Sequence, residues 1–474
     1  MTVFVDDAAL RDARDRAAGF PLGPAERERW QQVAAYAAAR RPDPAPERAA
    51  ALRELLRLPG AGDRQVLDAA GRLLVGAVTA GAVTGGAATG GAVTGAGAAP
   101  LARQVEALCL RWMDEDVKEA APLLELFTGH HRDPEGGPPA ADPELVKRLA
   151  GWLAERARAG TGARLEEAHV ISGGFSRLML DVRWTGGRGV VRIEQGGMFG
   201  TEGRREAAVM RILHAHGYPV PAVLWEEPDP GVLGHPFFVM EHVAGRPRTD
   251  EAGLGDMLRS LARLHGLDAG AAAQVAALDG APAGGAAPDR GAAPDRGGSA
   301  DRGPAAQRAI AAQLGHWHDV YRSAARYPIP LLERGFAWLR ANLRPTGPPV
   351  VVHGDPGPGN ALQDSGGVAA VIDWEFAHAG DAAEDWAYLA LIRGRRLGTP
   401  RDWKARLAAT VGVEYDEPTW RAWEAFNSVK GASVNLTALD VFGRTARPTP
   451  DLLAIGVAVH LRFLRRVVEL TRNP

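Results

Sequence analysis

The chain has 474 residues, enough for more than one packed core, and its 46% hydrophobic and 24% charged content is that of a folded globular protein. A formal net charge of −2 excludes a general pull toward nucleic acid or an anionic membrane, so charge-based recognition has to be local. Cys109 is the single cysteine, which rules out an intrachain disulfide and a cysteine-rich zinc site; it reads as a small buried hydrophobe.

The first residues, Met1 to Asp7, carry acids where a secretory leader needs positive charge, so the expected compartment is the cytoplasm. Residues 1–72 read as short amphipathic helices broken by proline, such as Pro24–Arg40 and Pro46–Leu58. Residues 73–102 carry no charge, and from Val75 to Pro100 they repeat Gly-Ala-Val-Thr-Gly without a single Leu, Ile or Phe. That stretch is long enough for a membrane span, but it gains little from lipid and lacks the bulk for a core. A flexible linker is expected there, and no membrane association. A helical block, Leu101–Phe127, follows and ends in a Gly/Pro-rich run. The helical region 1–142 holds no readable motif, and three roles stay open for it: docking of a protein partner, oligomerisation, or a lid.

The pattern changes near Pro143. Glu144–Ala159 reads as a helix, and strand-like alternation then takes over. Leu178–Trp184 and Gly189–Glu194 flank the turn Thr185–Arg188 and predict a β-hairpin. Glu202–His214 reads as a helix, and Val223–Glu227 and Pro236–Glu241 as strands. Residues 143–245 therefore predict a small β-rich lobe with one internal helix. Residues 246–474 are mostly helical. They are interrupted at Ala269–Ala306 by a Pro/Gly/Ala run in which GAAPDR recurs at Gly285 and Gly291, expected to be an unstructured surface insertion.

The strongest chemical signal is His353-Gly354-Asp355-Pro-Gly-Pro-Gly-Asn360, followed by Ile372-Asp373-Trp374-Glu375. The apolar run Pro349–Val352 predicts a short strand that delivers Asp355 into a loop too rich in Pro and Gly for a helix. Ala361–Gln363 and Val368–Ile372 flank the turn Asp364–Gly367, and folding about its centre sets Asn360 opposite Val371. Asp373 then lies two residues on, about 7 Å along the strand. An amide and a carboxylate make a suitable partial shell for Mg2+, which keeps waters and takes further ligands from nucleotide phosphates. A third acid, Asp355, outside that shell, is suited to accept a proton from an attacking hydroxyl.

These elements resemble the signature of the aminoglycoside phosphotransferase-like superfamily, in which His-Gly-Asp-x-x-x-x-Asn stands for the protein-kinase catalytic loop and Asp-Trp-Glu for Asp-Phe-Gly. The resemblance implies an α+β, bilobal protein-kinase-like fold: a small β-rich N-lobe and a mostly helical C-lobe, here preceded by the helical N-terminal region. It implies an enzyme that uses Mg2+ and ATP or GTP to phosphorylate a hydroxyl of a small-molecule acceptor. Asp355 would be the catalytic base, Asn360 and Asp373 the metal ligands, and His353 a support of the loop. The acids of Gly380-Asp381-Ala-Ala-Glu384-Asp385 fit as helix-capping and loop-bracing groups.

In the small lobe, Ser172-Gly173-Gly174-Phe-Ser176 lies between two predicted strands, where glycines let a backbone approach phosphates. Arg192, in Val-Val-Arg-Ile-Glu, occupies the position of the phosphate-binding Lys. It resembles the Val-Leu-Arg pattern of the branch associated with acyl-CoA dehydrogenases. Glu206 matches the acid that braces that cation, with Glu202 one turn earlier as the alternative. Pro236-Phe-Phe-Val-Met-Glu241-His-Val243-Ala-Gly245 resembles the inter-lobe hinge, whose backbone at Glu241 and Val243 would pair with a purine edge. His265 reads as a packed or capping histidine.

From Asp381 to Pro474 there are 11 Asp/Glu against 14 Lys/Arg, a balance that disfavours a polycationic acceptor and allows an anionic or neutral one. Trp420–Val429 is read as packing against the lobe ahead of lining the acceptor site. The competing expectation is a nucleotide-binding regulatory or scaffold module that has lost activity, motivated by Arg192 and the insertion.

Overall fold

The structure, a computed structural model, describes residues 7–19, 22–39, 44–82, 98–130, 141–158, 164–171, 177–194, 203–279, 302–390, 400–445 and 448–472. The small lobe opens with a helix whose sheet partners follow it directly. After six N-terminal helices, α1 (Asp7–Ala18), α2 (Pro24–Ala39), α3 (Ala45–Leu55), α4 (Asp63–Ala82), α5 (Ala98–Glu119) and α6 (Ala121–His130), comes α7 (Pro143–Arg158). The antiparallel strands β1 (Leu165–Val170), β2 (Arg177–Trp184), β3 (Gly187–Glu194), β4 (Val223–Glu227) and β5 (Phe237–Glu241) form one sheet in the order β1-β2-β3-β5-β4. Helix α8 (Gly203–Ala215) connects β3 to β4.

The register shows why β3 is buried from Gly189 to Ile193. Both faces of the sheet are covered, so both sets of alternating side chains are buried. Val191 and Ile193 pack with Leu180, Val182, Phe237 and Val239 against Leu149, Trp152 and Leu153 of α7. Val190 points to the opposite face, toward Ala207, Met210 and Leu213 of α8. Arg192 shares that second face by the two-residue period of a strand, which aims its side chain at α8 and the interlobe cleft. The β2–β3 turn is tighter than the sequence predicts. Trp184 pairs with Gly187, so only Thr185 and Gly186 make the turn, and Gly186 supplies its positive φ of 90°.

The large lobe contains α9 (Glu251–His265), α10 (Ala269–Asp279), α11 (Arg302–Ala324) and α12 (Pro330–Asn342). Two small antiparallel pairs follow, β6 (Val350–Val352) with β9 (His378–Gly380), and β7 (Ala361–Asp364) with β8 (Gly367–Val371). The rest is helical: α13 (Ala382–Tyr388), α14 (Pro400–Val411), α15 (Glu417–Asn435), α16 (Thr437–Arg444), α17 (Pro450–Ala454), a π-helical turn at Ile455–Val459, and α18 (His460–Thr471). Helix α15 is buried along almost its whole length, so Trp420, Trp423 and Phe426 are core side chains.

The N-terminal helices are built into this lobe. Trp30, Val33 and Tyr36 of α2 and Leu123 and Leu126 of α6 share a core with Phe442, Leu453 and Leu461. Helices α3 to α5 join the main core. Two of the expected irregular stretches are corrected at their ends. Of the linker expected over 73–102, residues 73–82 continue α4 and 98–102 begin α5, while 83–97 lie outside the described residues. Helix α4 packs on α12, with Gly71 beside Pro330 and Glu333 and with Leu67, Ala70 and Leu74 forming its buried stripe. Likewise the expected insertion 269–306 is helical at both ends, over α10 and from Arg302 onward, with Ala271, Ala272 and Val275 buried; 280–301 lie outside the described residues. Among the described residues no helix is long and apolar enough to cross a membrane.

Candidate active site

Strand β6 carries the chain to His353, and β9 locks it in place by pairing Val352 with His378. The turn that follows needs a glycine. Gly354 has a φ of +84°, and a Cβ on it would lie 2.5 Å from the Phe376 carbonyl oxygen. The backbone N–H groups of His353 and Gly354 each donate to the Asp385 carboxylate at 2.9 Å, and His265 Nε2 lies 2.9 Å from the same group. Burial alone would raise the Asp385 carboxyl. The hydrogen bond and charge of His265, with His353 behind it, outweigh burial and hold it below the usual range.

His353 is itself buried, and its two ring nitrogens have separate tasks. Nδ1 lies 3.3 Å from the Asp355 backbone N–H and accepts from it, so Nε2 carries the proton toward the Ile372 carbonyl at 3.0 Å. The His353 ring thereby ties the Asp355 loop to the strand leading into Asp373. Its ring lies 4.5 Å from Trp374.

Asn360 closes the same loop. Its Nδ2 donates to the Asp355 carbonyl at 2.9 Å, which turns Oδ1, the end that can ligate a cation, the other way. Its backbone carbonyl accepts from the Ile372 N–H at 2.9 Å. Asn360 therefore faces Ile372, one residue beyond the expected Val371. The reason is a bulge: Leu362 pairs with Ala370 but Gln363 with Val368, so β8 carries an extra residue. The shift brings Asn360 one position closer to Asp373.

Asp373 has a φ of +70°, a left-handed conformation that Asp tolerates better than most residues. Arg192 reaches it from the small lobe. The guanidinium Nη2 donates to Asp373 Oδ1 at 2.9 Å and lies 3.7 Å from Glu375, and Nε is 2.8 Å from Glu206 in an ion pair that is not aligned as a hydrogen bond. Burial works against the charge of Arg192. Glu206, Asp373 and Glu375 outweigh it and hold the guanidinium more firmly protonated than usual. Glu206 also accepts the Trp374 N–H at 3.2 Å. Beside Glu206 on α8, Arg205 donates to the Ala377 carbonyl at 2.5 Å. The helix thus holds the 374–377 segment at both ends.

Of the residues singled out in the sequence, Asp355, Asn360, Asp373, Arg192 and Glu206 come together, and His353 and Asp385 brace them. Glu202, Ser172, Gly173, Gly174 and Ser176 lie outside the described residues. At the hinge, Glu241 donates its backbone N–H to the Ala222 carbonyl at 2.8 Å, so its carbonyl and the backbone of Val243 are the candidate purine contacts. Gly245, with φ +150°, passes close to the Gln363 backbone, where a Cβ would meet atoms at 3.1–3.3 Å. Sequence reasoning missed Glu375 and Lys430. Lys430 Nζ donates to the Gly354 carbonyl at 2.6 Å and to Glu384 at 2.8 Å, deep in the large lobe. The available signal was a lone charge within the apolar and small-residue run Ala425–Val434, since a buried charge requires a partner.

Among the described residues no three His, Cys, Asp or Glu side chains form a ready-made metal cluster. The donor set here is instead an amide and a carboxylate amid surplus acid: Glu206, Asp373 and Glu375 against one guanidinium, with Asp355 nearby. That set fits a hard divalent ion whose shell is completed by phosphate oxygens and water.

The sequence model of the phosphotransferase enzyme family (APH) matches residues 167–426, and the chain belongs to that family. Among curated proteins it is 30% identical over 200 residues to acyl-CoA dehydrogenase family member 10 of Mus musculus, covering 40% of this chain and 16% of that protein. It is 29% identical over 202 residues to acyl-CoA dehydrogenase family member 11 of Homo sapiens, covering 40% of this chain and 23% of that one. The chain thus spans under a quarter of the length of these relatives. Among solved structures, an aminoglycoside phosphotransferase-type protein from Ralstonia eutropha JMP134 superposes with a TM-score of 0.46 at 20% identity, covering 69% of this chain and 98% of the other.

Proposed function

We propose that this chain is a small-molecule kinase that transfers the γ-phosphoryl group of Mg-ATP or Mg-GTP to a hydroxyl of its acceptor. What supports the reading is one arrangement: Asn360 bonds the Asp355 backbone through its side chain and the Ile372 N–H through its carbonyl, next to the left-handed Asp373. Base and metal-ligand candidates thus share one hydrogen-bonded unit.

In this reading Asn360 Oδ1 and the Asp373 carboxylate hold Mg2+, which when bound supplies charge neutralisation for the phosphate oxygens. Arg192 keeps Asp373 in place and presents a fixed positive charge at the cleft. Asp355 accepts the proton of the attacking hydroxyl, and the His353 ring fixes where its loop sits. Catalysis rests on positioning and charge, with no covalent intermediate on the protein. The backbone of Glu241 and Val243 takes the purine edge.

The test is transfer of radiolabelled γ-phosphate from ATP and from GTP, with Mg2+, to a panel of alcohols, sugars and hydroxy acids. Asp355→Asn is expected to lower transfer by about 100-fold or more while nucleotide affinity stays within threefold. Undiminished transfer in that variant would remove Asp355 from the mechanism. The rival reading, an inactive nucleotide-binding module, draws support from the enclosure of Arg192 by three carboxylates. Label on any acceptor disposes of it.

A further inference from the structure

Lys430 stands out because an ammonium group is placed where water does not reach. It lies in the C-terminal third of α15, 4% exposed, among the faces of Trp317 and Phe376 at 5.4 Å each and Tyr388 at 6.0 Å. Two polar partners answer its charge. One is Glu384, 2.8 Å away, which also lies 3.0 Å from His378 Nε2. The other is the Gly354 carbonyl at 2.6 Å, the peptide group that joins Gly354 to Asp355.

We infer that Lys430 is a positioning residue for phosphoryl transfer, holding the peptide that carries Asp355 in register with the rest of the site. The inference rests on the proposed role of Asp355 and adds to it. Three constraints meet at this peptide. The two preceding N–H groups are held by Asp385, the left-handed turn is one only glycine fits because a Cβ would collide with the Phe376 carbonyl, and the carbonyl is held by Lys430. Only the last comes from α15, a helix of the lobe's interior. Without that ammonium the 354–355 peptide plane is held only by the long bond from the Asp355 N–H to His353 Nδ1 at 3.3 Å, and rotation of the plane swings the Asp355 side chain off the line of the reacting hydroxyl. Misplacement of this kind lowers turnover without touching the purine contacts.

Adjacent acids of α13 divide the work. Asp385 holds the N–H side of the loop, and Glu384 supplies the counter-charge that lets Lys430 sit in an apolar setting. The test removes both charges together, so that no orphaned carboxylate confuses the result. In Lys430→Met/Glu384→Gln, release of inorganic phosphate from Mg-ATP with water as acceptor is measured per nucleotide-competent site. Those sites are counted with a fluorescent ADP analogue, so a partly folded preparation still reports. The expected result is a kcat loss of about 30-fold or more, with KM for ATP within threefold of the parent. A kcat within threefold of the parent overturns the inference.

Should the double variant give no folded protein, Lys430→Arg is read by the same measure, because its longer side chain keeps the charge but displaces the donor. Unchanged kcat there overturns the inference, and a loss at unchanged KM and Tm supports it. Asp355→Asn is assayed alongside. If it releases phosphate as fast as the parent, the failure lies with the proposed function; if it is inactive while the Lys430 variants are not, the failure lies with Lys430.

Discussion

Two buried cations organise the site from opposite sides, and they are built differently. Arg192 comes from the small lobe and meets Glu206, Asp373 and Glu375, two of them across the cleft. Lys430 comes from within the large lobe and meets one carboxylate and one carbonyl. A planar guanidinium can serve several acceptors at once, whereas an ammonium is a compact point charge. The balance of charge differs too. Around Arg192 three carboxylates face one guanidinium. Around Lys430 the ammonium and Glu384 cancel, and that cluster has only the backbone to hold. The two buried ion clusters thus differ in the number of acceptors each cation meets and in whether they bridge the two lobes.

Breaking the first cluster should cost most. Arg192→Met removes the guanidinium from Glu206 and Glu375, which are 2% and 6% exposed. Removing one partner of a buried ion pair typically costs about 3–5 kcal/mol. Urea unfolding should register a loss of that order, and ATP affinity should fall with it. Arg192→Lys should recover only part of both, because one ammonium cannot span the three carboxylates. Full recovery by lysine would contradict the account of the guanidinium as a bridge.

The bracing side is sharpened by acid. Asp385 has a folded-state pKa below its unfolded value, so the unfolded chain binds the extra proton and stability rises with pH through this window. Its contribution is present in full above the unfolded value of about 4 and is lost as pH falls through the folded one. Asp385→Asn should cost about 2–3 kcal/mol near pH 7, since an amide cannot accept both loop N–H groups as a carboxylate does. The gap between parent and variant, measured by denaturant titration from pH 7 down to pH 3, should narrow toward the acid end. A gap independent of pH would detach the effect from the carboxylate.

The difference between the two clusters also marks how far sequence reading reaches. Arg192, Glu206 and Asp373 lie on elements whose periodicity and order are local properties: a strand ending in Arg-Ile-Glu, a helix with its acid in the first turn, a hairpin followed by Asp-Trp-Glu. Local pattern therefore foretells both lobes and which side chains converge. Register was harder: no local pattern marks the extra residue in β8, and Gln363 also bridges Arg246, more than a hundred residues away in sequence. Lys430 was harder still. Its partners come from α11, the 376 loop and α13, and nothing in its own helix says so. The Ala/Gly-rich end of α4 misled for the opposite reason. Small residues read as lack of structure, yet α4 continues through them to Ala82.

Arg205 should give the smallest effect and the finest distinction. It joins the two halves from the edge of the first cluster, donating to the Ala377 carbonyl and pairing with Asp279 at 2.5 Å, with side chains 23% and 41% exposed. Solvent-accessible pairs of this kind contribute about 1 kcal/mol or less, so Arg205→Ala should barely move the unfolding midpoint. Its neighbour Glu206, however, depends on where α8 sits, and α8 is held against the 374–377 segment by these two adjacent side chains alike. A KM for ATP raised about two- to fivefold at nearly unchanged stability would show that the small lobe's helix needs an anchor at each end of that segment. An unchanged KM would mean that Glu206 alone keeps the lobes in register, and that the buried cluster around Arg192 is self-sufficient.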